Sequence, residues 1–304
     1  MSKKKETLSH ILSPSTLSQI AHYGLMAKVA VDGFVSGLHR SISHGSGSEF
    51  MQYRNYTPGD ELKYVDWKLF GRSDRFYTKV FHEETNMNCT IVLDASGSMA
   101  YKGERAICTK FKYASMLAAS LAYLASKQGD NPGLFCYNDQ CLSHFAPGNA
   151  SGHLQRILAD LSTITPGAVG NHEKYLTYLA GSLRRRGMLI LISDFIDPDI
   201  DYIALFKKLG FANHETIVLQ VLDKDELDLP FTSTTRFHDS ETGEEIITAS
   251  PAIRGEYIER IRDHITGFKS DCLRAGFDYL FTETDAEIGQ VLATYLHHRG
   301  SGKC

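Results

Sequence analysis

Several features of membrane, secreted and nucleic-acid-binding proteins are missing from this sequence. It has no uninterrupted apolar run of the ~18 residues that a membrane-spanning helix needs, and its first residues lack the apolar core of a signal peptide. Its six cysteines include no Cys-x-x-Cys pair. The formal charge of −4 gives no support for a broad nucleic-acid surface. These absences predict a cytoplasmic protein in a reducing compartment that binds neither membrane nor nucleic acid.

The motifs of common enzyme classes are also missing. There is no Gly-x-x-x-x-Gly-Lys-Ser/Thr loop to cradle a phosphate, no Gly-x-Ser-x-Gly elbow and no His-Glu-x-x-His zinc motif. The turn after the first strand of the alternating region carries a single glycine, whereas dinucleotide binding needs Gly-x-Gly-x-x-Gly. The sequence therefore predicts a protein without enzymatic activity.

From residue 88 onward, the sequence pattern alternates between apolar strands and helices. Predicted strands lie at 89–93, 133–137, 141–145, 188–193, 215–221 and 277–281, and predicted helices at 105–127, 151–161, 173–186, 200–209, 253–275 and 285–297. Such alternation favours an α/β fold with a doubly wound, mostly parallel sheet.

Three segments flank or interrupt this predicted sheet. Residues 1–85 are predicted as an appendage with one helix over Pro14–Val35 and strands near 49–56 and 75–84. Residues 86–298 form the α/β domain, with a hairpin inserted near 232–248 that turns at Glu241-Thr242-Gly243, and residues 299–304 are a tail.

The run Asp94-Ala95-Ser96-Gly97-Ser98 stands where the first buried strand ends. Three short oxygen-bearing side chains, spaced two apart in a strand-to-helix turn, suit a hard cation such as Mg²⁺, which prefers oxygen ligands. The alternative is helix capping by Ser96 or Ser98, because serine is a common N-cap residue.

A second aspartate favours the cation. Asp194 follows the apolar stretch MLILIS just as Asp94 follows CTIVL. The carboxyl ends of parallel strands meet at one edge of the sheet, and ligands of open α/β sheets bind there, where the strand order reverses. We therefore expect both aspartates to lie beside the two serines.

Two alternative functions remain open. Asp94 could be the nucleophile of a metal-dependent phosphohydrolase, although the second aspartate that such chemistry uses as a proton donor is replaced by Ser96. The segment Tyr53–Glu84 could be a partner-binding surface. Its tryptophan, Trp67, is otherwise interpreted as a buried anchor that fixes the appendage to the sheet.

The segment YTPGDELKYVDWKLFGRSDRFYTKVFHEETN, followed by TIVLDASGSM, resembles domain-of-unknown-function family 58, whose members contain a von Willebrand factor A-like domain. The likeness extends from about Leu17 to His297 and resembles the shorter members that have no membrane segments. It implies a Rossmann-like A-domain with a metal-ion-dependent adhesion site. There Ser96 and Ser98 would ligate Mg²⁺ directly, Asp94 and Asp194 would hold it directly or through water, and a partner's carboxylate would complete the coordination.

The same resemblance implies a protein partner, and it also exposes one departure from the family pattern. Family members often accompany MoxR-type AAA+ ATPases, which implies an adaptor role in the assembly or maturation of other proteins.

An A-domain places a threonine ligand before the helix that precedes the second aspartate. Residues 166–173 contain no threonine, and Asn171 offers an amide oxygen instead.

Overall fold

A computed structural model describes residues 23–28, 30–31, 49–57, 65–73, 75–82, 87–183, 185–210 and 214–301 of the 304-residue chain. The strands are β1 (Glu49–Asn55), β2 (Tyr77–His82), β3 (Asn88–Asp94), β4 (Asn131–Tyr137), β5 (Cys141–Phe145), β6 (Gly187–Ser193), β7 (Glu215–Leu222), β8 (Thr234–His238), β9 (Glu245–Ala249) and β10 (Asp278–Glu283). The helices are α1 (Trp67–Ser73), α2 (Lys110–Lys127), α3 (His153–Thr163), α4 (His172–Ser182), α5 (Tyr202–Gly210), α6 (Lys224–Asp228), α7 (Ser250–Arg274) and α8 (Ile288–Ser301). The helix predicted over 14–35 is helical at 23–28 and 30–31, and its other residues lie outside the described ranges.

Six strands form the central sheet in the order β10-β7-β6-β3-β4-β5. All neighbours are parallel except β5, which runs antiparallel to β4 at one edge. The chain builds outward from β3 through β4 to β5, and then returns to build β6, β7 and β10 on the other side. The strand order therefore reverses between β3 and β6, and the predicted α/β class with a mostly parallel sheet flanked by helices is confirmed.

Apolar side chains cover both faces of this sheet. Every residue of β6 is buried, as are the last six residues of β3. Successive residues of a strand point to opposite faces, so Ile190 packs in the cluster that includes α2, whereas Leu189 packs in an aromatic cluster with Phe206 and Phe268. Strands that are buried on both faces read as continuous apolar runs, which is why MLILIS shows no alternation.

Helix α2 begins five residues later than the apolar pattern predicts. Thr109 is its N-cap, and the Thr109 hydroxyl accepts a hydrogen bond of 3.1 Å from the backbone N–H of Lys112. The residues before it form a loop tied to the start of α6: Asp223 accepts from the N–H of Gly103, and Asp225 accepts from the N–H of Glu104. The backbone N–H of Lys110 donates to the carbonyl of Tyr101 and not to that of Ala106, so the helical hydrogen-bond pattern does not extend back to Arg105.

The interpretation of Trp67 as a buried anchor is wrong. Its side chain is 56% exposed and packs edge-on against Phe70 and Phe76. These rings lie beside the two-stranded antiparallel sheet of β1 and β2. The predicted bounds of the appendage, 1–85, and of the α/β domain, 86–298, stay predictions. The partner-binding surface on Tyr53–Glu84 also stays a prediction.

Strands β8 and β9 form a separate antiparallel hairpin between α6 and α7, with His238 opposite Glu245. The turn spans residues 239–244. Within the described ranges, no helix is both long and apolar enough to cross a lipid bilayer.

Candidate functional site

The two predicted aspartates meet where the strand order of the sheet reverses. Asp94 ends β3, Asp194 directly follows β6, and these strands are neighbours in the sheet. The hydroxyl of Ser193 joins the two acids: it donates to Oδ2 of Asp94 at 2.6 Å and lies 3.4 Å from Oδ1 of Asp194. Sequence reasoning did not single out Ser193, although its place directly before Asp194 at the strand end is a signal for it.

Residues 94–99, called the serine loop below, continue from β3 into a short 3-10 turn at Gly97–Ala100. The backbone N–H of Ser96 donates to Oδ1 of Asp94 at 2.8 Å, which turns the loop back over the strand end. The hydroxyls of Ser96 and Ser98 lie 3.1 Å apart. The Ser96 side chain caps no N–H of the 3-10 turn, and α2 is capped by Thr109 instead. The capping alternative for Ser96 therefore finds no support.

Lys110, which sequence reasoning missed, is a buried cation beside Asp194. Its ammonium lies 2.8 Å from Oδ2 of Asp194 and 2.5 Å from Oε1 of Glu226, and its side chain is fully buried. Burial alone would raise the pKa of Asp194, but the charge and hydrogen bond of Lys110, together with Ser98 and His172, lower that pKa below its usual value. Burial tends to lower the pKa of Lys110, and its two carboxylate partners raise it above the usual value. Asp194 is therefore an ionised, paired carboxylate.

Asp94 has a different electrostatic environment. Its side chain is 1% exposed. Among the described side chains, the basic nitrogen that lies at ion-pair distance is Nε2 of His172, 3.9 Å from Oδ2 of Asp94. Nδ1 of that histidine lies 2.9 Å from the hydroxyl of Tyr137, which fixes the ring orientation. Burial raises the pKa of Asp94, and the nearby histidine offsets only part of that rise. Burial thus disfavours the charged form of Asp94, and a further positive partner would stabilise that form.

Asn171 does not join this group. It is the N-cap of α4: its side-chain oxygen accepts from the N–H of Lys174 at 3.2 Å, and the residue is exposed. No described contact links its amide oxygen to either aspartate or to the serine hydroxyls. The physical reason is local, because an asparagine before a helix satisfies an otherwise unpaired N–H of the first turn.

Glu241, from the turn between β8 and β9, is a second residue that sequence reasoning placed only in a turn. Its carboxylate accepts from the backbone N–H of Ser98 at 3.3 Å and from that of Gly170 at 3.0 Å. The hairpin therefore reaches the serine loop across more than 140 residues of sequence. No pattern within either segment signals such a contact.

The donor set suits a hard cation better than zinc. Within the described part of the chain, no group of three or more His, Cys, Asp or Glu side chains is arranged to hold a metal ion. A cation at the serine loop would depend on hydroxyl oxygens and water in addition to the carboxylates, as Mg²⁺ does when it keeps several of its waters. Lys110 already uses one oxygen of Asp194, which leaves the other oxygen facing Ser193.

The phosphohydrolase alternative gains no support from this geometry. Both carboxylate oxygens of Asp94 accept short hydrogen bonds, and the group is almost fully buried. In addition, the residue two positions after Asp94, where such chemistry uses a proton-donating carboxyl group, is Ser96.

Comparison with known proteins places the chain among relatives of unassigned function. The family described as "Protein of unknown function DUF58" matches residues 52–267. The chain belongs to this family. Uncharacterized proteins of Mycobacterium bovis and Mycobacterium tuberculosis are 25% identical to this DUF58 member over 293 residues, which is 95% of this chain and 91% of theirs. The resemblance to family 58 is thereby confirmed.

Two solved structures are also similar to this chain. The conserved hypothetical protein BatB from Bacteroides thetaiotaomicron is 14% identical, with a TM-score of 0.48 over 71% of this chain and 100% of its own. An aerotolerance-related membrane protein from Bacteroides fragilis is 15% identical, with a TM-score of 0.44 over 70% of this chain and 99% of its own.

Proposed function

We propose that this DUF58 chain is a non-enzymatic protein-interaction module of the von Willebrand factor A type. A Mg²⁺ ion at the serine loop would join it to a carboxylate of a partner. Ser96 and Ser98 would ligate the ion directly, and Asp94 and Asp194 directly or through water. The partner that the family resemblance suggests is a MoxR-type AAA+ ATPase or its client, with the chain as adaptor in the cytoplasm.

The observation that carries this proposal is the state of Asp94. A carboxylate taken out of water without a charged partner costs several kcal/mol. Asp94 is buried, its pKa is raised by that burial, and among the described side chains the basic nitrogen at ion-pair distance is that of His172, at 3.9 Å. A divalent cation between Asp94 and the paired hydroxyls would supply the missing charge.

The position of the group supports the same function. It lies at the carboxyl ends of β3 and β6, where the strand order reverses and ligands of open α/β sheets bind. Lys110 pairs with Asp194 and with Glu226, whereas among the described side chains no lysine or arginine lies at ion-pair distance from Asp94, beside the serine loop.

Magnesium should therefore stabilise the protein. A cation at ten times its dissociation constant adds about 1.4 kcal/mol to the free energy of unfolding, which raises the melting temperature by a few degrees for a chain of this size. Differential scanning fluorimetry with and without millimolar Mg²⁺ measures the shift. Asp94→Asn keeps the shape of the side chain but removes its charge, and it should abolish the shift.

The matched control is Asp199→Asn, an exposed aspartate beyond the end of β6 that should keep the full shift. An equal Mg²⁺ effect in wild type, Asp94→Asn and Asp199→Asn would assign the stabilisation to other sites and contradict the metal proposal. No shift in any of the three proteins would contradict it as well.

A further inference from the structure

The turn of the β8–β9 hairpin lies directly against the serine loop. A Cβ atom built on Gly97 would lie 2.6 Å from the carbonyl oxygen of Ser240, so this approach requires glycine at position 97. Oδ1 of Asp239 accepts from the backbone N–H of Glu241 at 2.8 Å, which stabilises the turn. The hairpin thus holds Glu241 in a defined position at the mouth of the site.

The Glu241 carboxylate is bound by two loops at once. One oxygen accepts from the N–H of Ser98 in the serine loop, and the other accepts from the N–H of Gly170 in the loop before α4. Gly170 packs closely on the site, because a Cβ atom there would lie 3.1 Å from Cβ of Ser96 and 2.7 Å from Nε2 of His172. The carboxylate therefore bridges the two loops that flank Asp94.

The charge of Glu241 is the informative part of this contact. The site already contains Asp94 and Asp194, with Lys110 pairing the second. A carboxylate that accepts from two backbone N–H groups makes stronger hydrogen bonds than a neutral side chain would, and it adds a further negative charge at the mouth of the site. A site that binds the acidic side chains of a partner would hold a carboxylate at this position, as it holds that of Glu241.

We propose that Glu241 is a tethered ligand of the site. Its carboxylate occupies the position that an acidic segment of the partner takes, and the partner binds by displacing the hairpin turn. This inference rests on the proposed function for the nature of the partner. The hairpin turn then fills the chain's own binding site until an acidic segment of the partner displaces it.

A labelled peptide tests the proposal on the full chain. The probe is fluorescein-labelled Asp-Ser-Glu-Thr-Gly, which copies residues 239–243, and fluorescence anisotropy in millimolar Mg²⁺ measures its binding. A tethered ligand competes at an effective concentration of about millimolar. Glu241→Ala should therefore bind the peptide at least about ten-fold more tightly than wild type does, a difference of about 1.4 kcal/mol.

The matched control is Glu244→Ala, in the same turn, which should bind the peptide as wild type does. A probe with Gln in place of Glu should lose the gain. Circular dichroism and the melting temperature establish that both variants are folded. Equal peptide binding by all three proteins, or no binding by any of them, would overturn the proposal.

Chelator separates this proposal from the metal site. A gain for Glu241→Ala that persists in EDTA supports the tethered carboxylate and counts against the cation. A Mg²⁺-dependent melting shift without any gain for Glu241→Ala supports the cation and removes the tethered ligand.

Discussion

Lys110 shows how one side chain sets the charge balance of the site. It is fully buried between Asp194 and Glu226 and holds three distant segments of the chain together. Burial raises the pKa of Glu226, although the Lys110 charge works against that rise. Removing one member of a buried ion pair leaves the remaining charge without compensation, which costs more than the pair contributes.

Lys110→Met should therefore lower the free energy of unfolding by about 3–5 kcal/mol, because it leaves the buried carboxylate of Asp194 and the partly buried carboxylate of Glu226 without their cation. Urea denaturation followed by circular dichroism measures the change. Lys207→Met, at an exposed position of α5, is the control and should stay within about 0.5 kcal/mol of wild type. A Lys110→Met protein as stable as the control would show that the cluster relaxes or admits water.

Among the elements, the starts of α2 and α4 are fixed by side-chain caps. Thr109 is the N-cap of α2, so Lys110 is the first residue of that helix and its ammonium group reaches Asp194. Asn171 begins α4 and thereby places His172, the next residue, near Asp94. Each cap thus contributes to the site by orienting the residue that follows it.

Asn171→Ala should cost about 1 kcal/mol of stability through the lost cap, and it should leave the Mg²⁺-dependent melting shift unchanged. Asn171→Asp, which keeps an N-cap oxygen, should retain most of the stability. Thermal melts of both variants with and without Mg²⁺ make the comparison. A melting shift that disappears in Asn171→Ala would contradict the assignment of Asn171 to the helix cap alone.

At the scale of the whole molecule, apolar packing on both faces of the central sheet positions the site. The central strands are packed on both sides, so the ends of β3 and β6 are held in register by apolar contacts far from the polar groups. Large-to-small substitutions in such cores cost transfer free energy and leave a cavity.

Leu189→Ala and Ile190→Ala should each lower the free energy of unfolding by about 2–5 kcal/mol, although their side chains point to opposite faces of the sheet. Ile246→Ala on β9, at a residue 64% exposed, should change it by less than about 0.5 kcal/mol. Urea titrations give all three values. A small effect for only one of the β6 variants would mean that one face of the sheet is not a packed core.

The sequence by itself determined the α/β class, the order of the strands and of the longer helices after residue 88, and the meeting of Asp94 and Asp194 with two serines. These follow from apolar periodicity and from the rule that parallel strands end at one edge, both of which are local or topological. Only the tertiary structure showed that Lys110 pairs with Asp194, that Asn171 caps a helix and that Trp67 is largely exposed. It also decided that Glu241 reaches the serine loop. The contacts of Lys110 and Glu241 join segments far apart in the chain, and their side-chain partners are chosen by packing and charge after the backbone has folded, so no local pattern encodes them.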